Sequence, residues 1–286
     1  MSVTERPSCN ALDAVLGKEF PVLDHGFIRV IDYMGNDAAI VQAARVSYGD
    51  GTKSVSDDAA LIDYLMRHRH TSPFEHCEIK LHVKLPIFVA RQWIRHRTAS
   101  TNEYSARYSV LAREFYVPDA EHIAAQSTEN RQGRETVALN PDAAGRARNE
   151  MDSGAGLCFD LYDYLLNYID GACISRELAR ICLPLSTYTE LYWKIDLHNL
   201  LHFLQLRCDA HAQHEIRVYA DVMLDLVKRW VPLTHAAFLK NRLGAMTFSA
   251  PALEMLRRML AGETVTQTDS GLGRREFDEV MGVIGI

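Results

Sequence analysis

The strictest pattern in the chain is a period of two between Cys77 and Leu85, where Cys77, Ile79, Leu81, Val83 and Leu85 alternate with Glu78, Lys80, His82 and Lys84. Side chains of a strand point to alternate faces, so this segment is expected to be a strand with one buried face. Phe27 to Tyr33 is rich in β-branched and aromatic residues and predicts a first strand, and Met34-Gly35-Asn36-Asp37 after it supplies turn chemistry and a helix N-cap. Helical spacing of apolar residues over Ala38–Val46 and Ala59–Met66 predicts two helices, the second capped within Ser56-Asp57-Asp58. Pro86 suits the first turn of a further helix, which carries Phe88, Trp93 and Ile94 with Arg91 and Arg95 four apart and is expected to end near Arg97.

Beyond that helix, Thr98 to Ala106 is short-polar and reads as an ordered loop before a strand-like Glu114 to Val117. Between Gln126 and Gly156 the composition shifts to Asn, Gln, Arg, Glu and small residues without apolar periodicity, which predicts a mobile excursion or a charged helix. Leu157–Ile169, Ser175–Leu183 and His198–Trp230 read as successive helices, punctuated by Pro184 and the loop it opens. Pro251–Leu260 adds one more helix before a polar stretch and an apolar end. The pattern predicts the α+β class: one mixed α/β domain with an antiparallel-rich sheet and a helical second half. Its expected limits are 25–244, with a polar insertion at about 126–156, an N-terminal extension 1–24 and a C-terminal extension 245–286.

At 286 residues, one elaborated domain fits better than two small ones, since domains average about 150 residues. Apolar residues at 48% and charged residues at 24% exclude a disordered or fibrous chain. A formal charge of −6 repels polyanions, so no nucleic-acid partner is expected. The six cysteines show no pair at C-x-x-C spacing and are expected to serve mostly as small core hydrophobes. No signal-like segment and no run of 18 apolar residues occurs, so a soluble, reduced, cytoplasmic protein without membrane contact is expected.

Against that acidic background, Arg91 to Tyr108 holds Arg91, Arg95, Arg97 and Arg107 with His96 and a single carboxylate, Glu103. Guanidinium forks match phosphate, and Ser100, Thr101, Asn102 and Ser105 add donors suited to phosphate or a pyrimidine edge. The bland alternative is a solvated basic helix end. In the histidine-rich segment 198–217, a continuous helix sets His198 and His202 roughly 40° apart and places Arg207, His211 and His214 on nearly the opposite side. Such a helix assembles no metal site, and its Arg/His/His face suits an anion or uracil. His70 and Ser72 are expected on an exposed turn before Pro73, where helix capping is an equal reading. No Gly-x-Gly-x-x-Gly follows a strand, and neither a nucleophile elbow nor a Walker A sequence occurs.

The run Arg95-His96-Arg97 followed by seven residues and Ser105 resembles the signature of flavin-dependent thymidylate synthases, with every fixed position present. The likeness extends through His70–His76, Pro86–Trp93, Arg176–Leu185 and Leu206–Ile216, covering roughly residues 25 to 240. It implies reductive methylation of dUMP to dTMP, with 5,10-methylenetetrahydrofolate giving the carbon and NADPH supplying hydride through FAD. It further implies a homotetramer whose active sites draw on several subunits. Positions similar to the family's dUMP-binding residues are Gln92, Arg95, Glu103, Ser105, Ala106, Arg107, Arg180 and Arg207. Those similar to its FAD-binding residues are Ser72, Arg95, His96, Arg97, Glu103, Asp196, Leu197, His198 and His202, with His70 near the ring system. The chain departs from the family pattern at Asp196, His198 and His202. By this likeness Arg107 and Arg180 take the phosphate, and Arg207 is the key catalytic residue beside the uracil, where its charge favours ionisation of the ring nitrogen. Ser105, the other catalytic candidate, has no evident neighbouring base and takes a positioning role. Two other classes compete: a nucleic-acid-binding module built on the arginine loop, and a metal-dependent hydrolase built on the histidines.

Overall fold

The alternating segment forms β3 (Glu78–Pro86), the centre of a five-stranded antiparallel sheet, in a computed structural model that describes residues 6–46, 57–128, 133–167, 169 and 173–285. The strand order is β1 (Glu19–Val22), β2 (Gly26–Met34), β3, β7 (Tyr188–Asp196) and β4 (Ser100–Glu103). Ile79, Leu81, Val83 and Leu85 of β3 lie level with Ile195, Trp193, Leu191 and Thr189 of β7, and all are buried on one face. On that face pack α5 (Ile87–Trp93), α8 (Leu197–Arg207) and α9 (His214–Trp230), while Glu78, Lys80, His82 and Lys84 line the other. There His82 stacks on Tyr192 and bonds Glu190 at 2.8 Å.

Short helices close the ends of this layer: α1 (Asn10–Asp13) against α9, α2 (Asp37–Arg45) beside α3 (Asp58–Arg67), and α4 (Ser72–Glu75) against α8. Capping follows sequence chemistry, since Asn36 accepts from Ala39 N–H and Asp57 from Ala59 N–H at the starts of α2 and α3. Ser56 of the expected cap lies outside the described residues. Later in the chain come the hairpin β5 (Ala124–Gln126) and β6 (Arg134–Ala138), α6 (Pro141–Asn167), α7 (Arg176–Ala179) and α10 (Pro232–Phe238).

Several expectations are corrected. The strand over Phe27–Tyr33 is the second, because β1 precedes it as the other arm of a hairpin. A whole strand, β7, sits between the expected helices, inside the sheet between β3 and β4. Glu114–Val117 makes one bridge, Phe115 to Thr187, and no strand. The excursion 126–156 holds parts of a hairpin and the first half of α6, a helix that begins well before Leu157. Of Ser175–Leu183 only Arg176–Ala179 is α-helical, followed by a 3-10 turn, since Pro184 lacks the N–H to continue. Cys77 alone among the six cysteines is buried; Cys173 is exposed and the others are half-buried.

Contacts divide the chain into two compact units, Met1–Leu243 and Gly244–Ile286. The second is a small helical body of α11 (Ala250–Leu260), α12 (Gln267–Ser270) and α13 (Arg274–Ile284) around Ala252, Met255, Val265, Leu272 and Val280. Ser249 caps α11 and donates to Glu276 of α13, which ties its first and last helices together.

Gly26 marks where β1, β3 and α9 come closest. A Cβ there would lie 2.6 Å from Val22 O and 2.8 Å from Lys84 O, and would collide with the Tyr219 hydroxyl that donates to Lys84 O at 2.7 Å. Gly26→Ala is expected to destabilise the protein by about 1–3 kcal/mol, the usual range for forced overpacking. Denaturant titration checks this, and an unchanged midpoint would contradict the close approach.

Candidate active site

The arginine loop begins where α5 stops. Its helix is expected to reach Arg97 but ends at Trp93, because Ile94–His96 tighten into turns and the chain then peels away to pair with β7. Ser100 lies opposite Lys194, Thr101 opposite Trp193, Asn102 opposite Tyr192 and Glu103 opposite Leu191. One backbone cannot serve a helical ladder and a sheet ladder together, and the free edge of β7 takes it. Glu103 is fixed further by Thr189 Oγ1, which donates to its Oε1 at 2.8 Å. The expected loop therefore contains an edge strand, β4, whose residues are all exposed.

Trp93, at the end of α5, packs on Trp193 and on Phe203 of α8, with ring centroids 5.2 and 4.8 Å apart. His96 follows three residues on, edge-on to Phe203 at 5.7 Å and 5.6 Å from the His202 ring. Burial, then the neighbouring His202 and Arg207, hold its pKa below the ordinary histidine value. Arg207 closes α8 with its guanidinium 6.0 Å from the Phe203 ring centroid and its Nη2 donating to Gln92 O at 3.4 Å. Its Nε is buried with no hydrogen-bond partner, and burial lowers its pKa. The Gln92 side-chain amide donates to Gln213 Oε1.

Arg91, Arg95 and Arg97 are exposed, and among the described residues none of their guanidinium groups has a hydrogen bond or ion pair. Arg107 instead pairs with Glu177 at 3.2 Å, and Arg180 Nε reaches the Glu177 carbonyl at 3.3 Å. Ser105 Oγ accepts from Arg107 N–H at 3.3 Å and bonds no basic side chain, while Ala106 is buried beside it. His70 and Ser72 lie exposed on the turn from α3 into α4, where Arg69 takes a left-handed φ of 61°. Because α4 packs on α8, this turn is carried by the helix that bears His198 and His202. Asp196 caps α8, accepting from Asn199 N at 2.9 Å and Asn199 Nδ2 at 2.7 Å. The Leu197 side chain is wholly buried and its N–H donates to Cys77 O at 2.8 Å.

The structure thus brings Gln92, His96, His202 and Arg207 together, and gathers Ser105, Arg107 and Arg180 around Glu177. It does not form the expected Arg207/His211/His214 face. Helix α8 ends at Arg207, and Asp209 takes the His211 backbone N–H at 2.7 Å and its Nδ1 at 2.9 Å, so His211 points into an exposed turn. His214 begins a new helix, its ring 3.8 Å from that of His122 and tilted 33° to it. Glu177 and Gln213 escaped sequence reasoning, which has no signal for partners so distant along the chain. Two cavities, of about 320 and 370 Å³, lie elsewhere, with no residue of the 95–107 loop among their linings. No three His, Cys, Asp or Glu side chains converge among the described residues, and no helix among them is long and apolar enough to cross a membrane.

The model of the family described as thymidylate synthase complementing protein matches residues 29–233. A flavin-dependent thymidylate synthase of Gluconobacter oxydans is 61% identical over 282 residues, 99% of this chain and 92% of its own. One from Ruegeria pomeroyi is 58% identical over 99% of this chain and 93% of its own. The chain belongs to the flavin-dependent thymidylate synthase family. Among solved structures, the UMP/dUMP methylase PolB from Streptomyces cacaoi bound with 5-Br UMP is similar with a TM-score of 0.69 at 35% identity, covering 78% of this chain and 97% of that one. In flavin-dependent thymidylate synthase terms, the arginine loop lies inside the matched segment and the unit from Gly244 lies beyond it.

A histidine with a depressed pKa stays neutral on acidification while its unfolded counterpart takes up a proton. His96 is therefore expected to titrate below about 6.5 in NMR, and stability to fall as pH drops through that value. A His96 midpoint above it would contradict the burial described here.

Proposed function

We propose that the chain converts dUMP to dTMP in the cytoplasm, taking the one-carbon unit from 5,10-methylenetetrahydrofolate and hydride from NADPH, and releasing tetrahydrofolate. FAD, when bound, relays the reducing equivalents between NADPH and the nascent methyl group. The observation that carries this reading is the convergence of His96, His202 and Arg207, in a segment whose Arg91, Arg95 and Arg97 guanidinium groups have no protein partner among the described residues. The donor set fits a dinucleotide cofactor: Arg95 and Arg97 are free for a pyrophosphate, and the exposed polar edge of β4 lies beside them. Ser72, His96, Glu103, Asp196, Leu197, His198 and His202 complete the proposed cofactor contacts, with His70 near the ring system.

For dUMP, Arg107 and Arg180 take the phosphate, the former exchanging its pairing with Glu177 for the substrate, and Gln92, Arg95, Glu103, Ser105 and Ala106 complete the contacts. Arg207 faces the uracil. Its partly desolvated charge and orphaned Nε–H are suited to stabilising negative charge on the ring, which makes the neighbouring carbon more nucleophilic. Ser105 orients the loop through Arg107 N–H. Arg207→Ala is expected to lower kcat/KM for dUMP by about 10²–10³, the scale of one preorganised donor, while FAD binding changes little. Ser105→Ala should retain measurable dTMP formation. Anaerobic reduction of the protein's flavin by NADPH, faster with dUMP than without, tests the whole reading; a protein that takes up no FAD would overturn it.

Exposed apolar side chains flank the phosphate side of the site: Tyr108, Leu161, Leu178, Leu185 and, at 77% exposure, Ile181. Large apolar side chains exposed in number on one face are a common mark of an interface, and they support a homotetramer with sites shared between subunits. Ile181→Glu is expected to shift the mass measured by light scattering to a smaller species with weakened FAD binding. An unchanged mass would contradict the interface.

A further inference from the structure

Arg69 is one of two non-glycine residues with a positive φ among the described residues. It stands where α3 ends in a pair of backbone bonds, His70 N–H to Leu65 O at 3.0 Å and Arg69 N–H to Met66 O at 3.3 Å. That ending puts its last residue in the left-handed region, which glycine enters without strain and a long side chain does not. An arginine kept there points to a use for its charge beyond the turn.

More positive charge gathers at the same end of α3. After α10 the chain makes a π-helical turn, Leu239–Leu243, that packs on α3. Lys240 Nζ bonds both oxygens of Asp63 at 3.0 and 3.1 Å, and Asn241 Nδ2 bonds Oδ1 at 2.8 Å. Arg67 lies one helical turn beyond Asp63 on the same face and is exposed, and the half-buried Arg242 follows Asn241. Among the described residues neither guanidinium has a hydrogen bond or ion pair. Burial, then the charge of Arg69, holds Arg242 below the ordinary arginine value. Asp63 is matched by Lys240, and the roughly half negative charge at the C-terminus of α3 does not match both Arg67 and Arg242. Tyr64 lays its exposed ring against His68, with centroids 4.3 Å apart, and lies 6.1 Å from the ring of His70. An open run of rings therefore adjoins the cations, and His70 is its end nearest the proposed flavin.

We infer that Arg67, Arg69 and Arg242 form an anion-binding site for the charged tail of a co-substrate whose reacting end meets the flavin at His70. Guanidinium forks match both the phosphates of NADPH and the glutamyl carboxylates of methylenetetrahydrofolate. This rests on the reading of His70 as a neighbour of the flavin ring.

The test is steady-state kinetics on the FAD-loaded full chain carrying Arg67→Gln and Arg242→Gln together. This double variant is expected to raise KM for a co-substrate about tenfold, the effect of losing charge-assisted hydrogen bonds, with KM for dUMP and FAD affinity within twofold. A rise for NADPH but not NADH assigns the site to the extra phosphate, a rise for both to the pyrophosphate, and a rise for the folate alone to its carboxylates. Arg67→Lys with Arg242→Lys should keep most of the affinity, and added salt should weaken co-substrate binding in the parent more than in the double variant. KM values for NADPH and the folate both within twofold of the parent would overturn the proposal, as would dUMP and FAD affinities falling in step with them. Should the double variant not fold, Arg67→Gln at its exposed position decides alone, with about a threefold rise expected. A parent that binds FAD but is not reduced by NADPH would overturn the functional reading, whereas a working parent with an unaltered variant overturns this site alone.

Discussion

Trp93 from the end of α5, Trp193 from the middle of β7 and Phe203 from α8 meet with ring centroids 5.2, 4.8 and 5.1 Å apart, and the position of every element of the site depends on that contact. Each ring buries enough surface to contribute about 4–6 kcal/mol. Both indole N–H groups are buried without a partner, at a cost of about 1–3 kcal/mol each, so packing outweighs the unmet hydrogen bonds. The cluster welds a helix end, a central strand and a second helix at one point. Gln92, Arg95 and His96 extend from one side of it, and His202 and Arg207 from the other.

The same weld explains how a basic site persists on an acidic protein. Many charged groups of the first unit, Arg6 with Asp32, Arg45 with Asp58 and Arg113 with Asp160 among them, are neutralised by exposed ion pairs, which contribute little to stability. Arg91, Arg95 and Arg97 have no such partners among the described residues, because Glu103 is occupied by Thr189 and lies on the edge strand. Uncompensated guanidinium groups held by a rigid scaffold cost the fold little at the surface and are ready for an anionic ligand. Arg207 differs in being half-buried, and its depressed pKa records the desolvation that makes its charge more effective toward a ring placed against it.

Where local pattern and tertiary packing agree, the fold was legible. The alternation of β3 and the caps of α2 and α3 needed only near neighbours. β7 carries a similar alternation at Leu191, Trp193 and Ile195, but its identity as the partner of β3 is a long-range fact, and the helical segments on both sides mask it. The break between α8 and α9 has no proline or glycine to announce it. It arises because Asp209 captures the His211 N–H, a local bond that competes with the helical ladder. Loop residues of the site were legible by their density and their likeness to a signature. Their partners were not, since Arg107 and Glu177 are 70 positions apart and Gln92 and Gln213 121.

The account stands on one spatial claim, that flavin and nucleotide share the surface between the arginine loop and the end of α8. A crystal structure of the protein with FAD and dUMP tests it most directly. The expected result places the pyrophosphate against Arg95 and Arg97 and the uracil within hydrogen-bond distance of Arg207. Ligand density confined to the cavities lined by Glu215 or His214, with the arginine loop left bare, would contradict it.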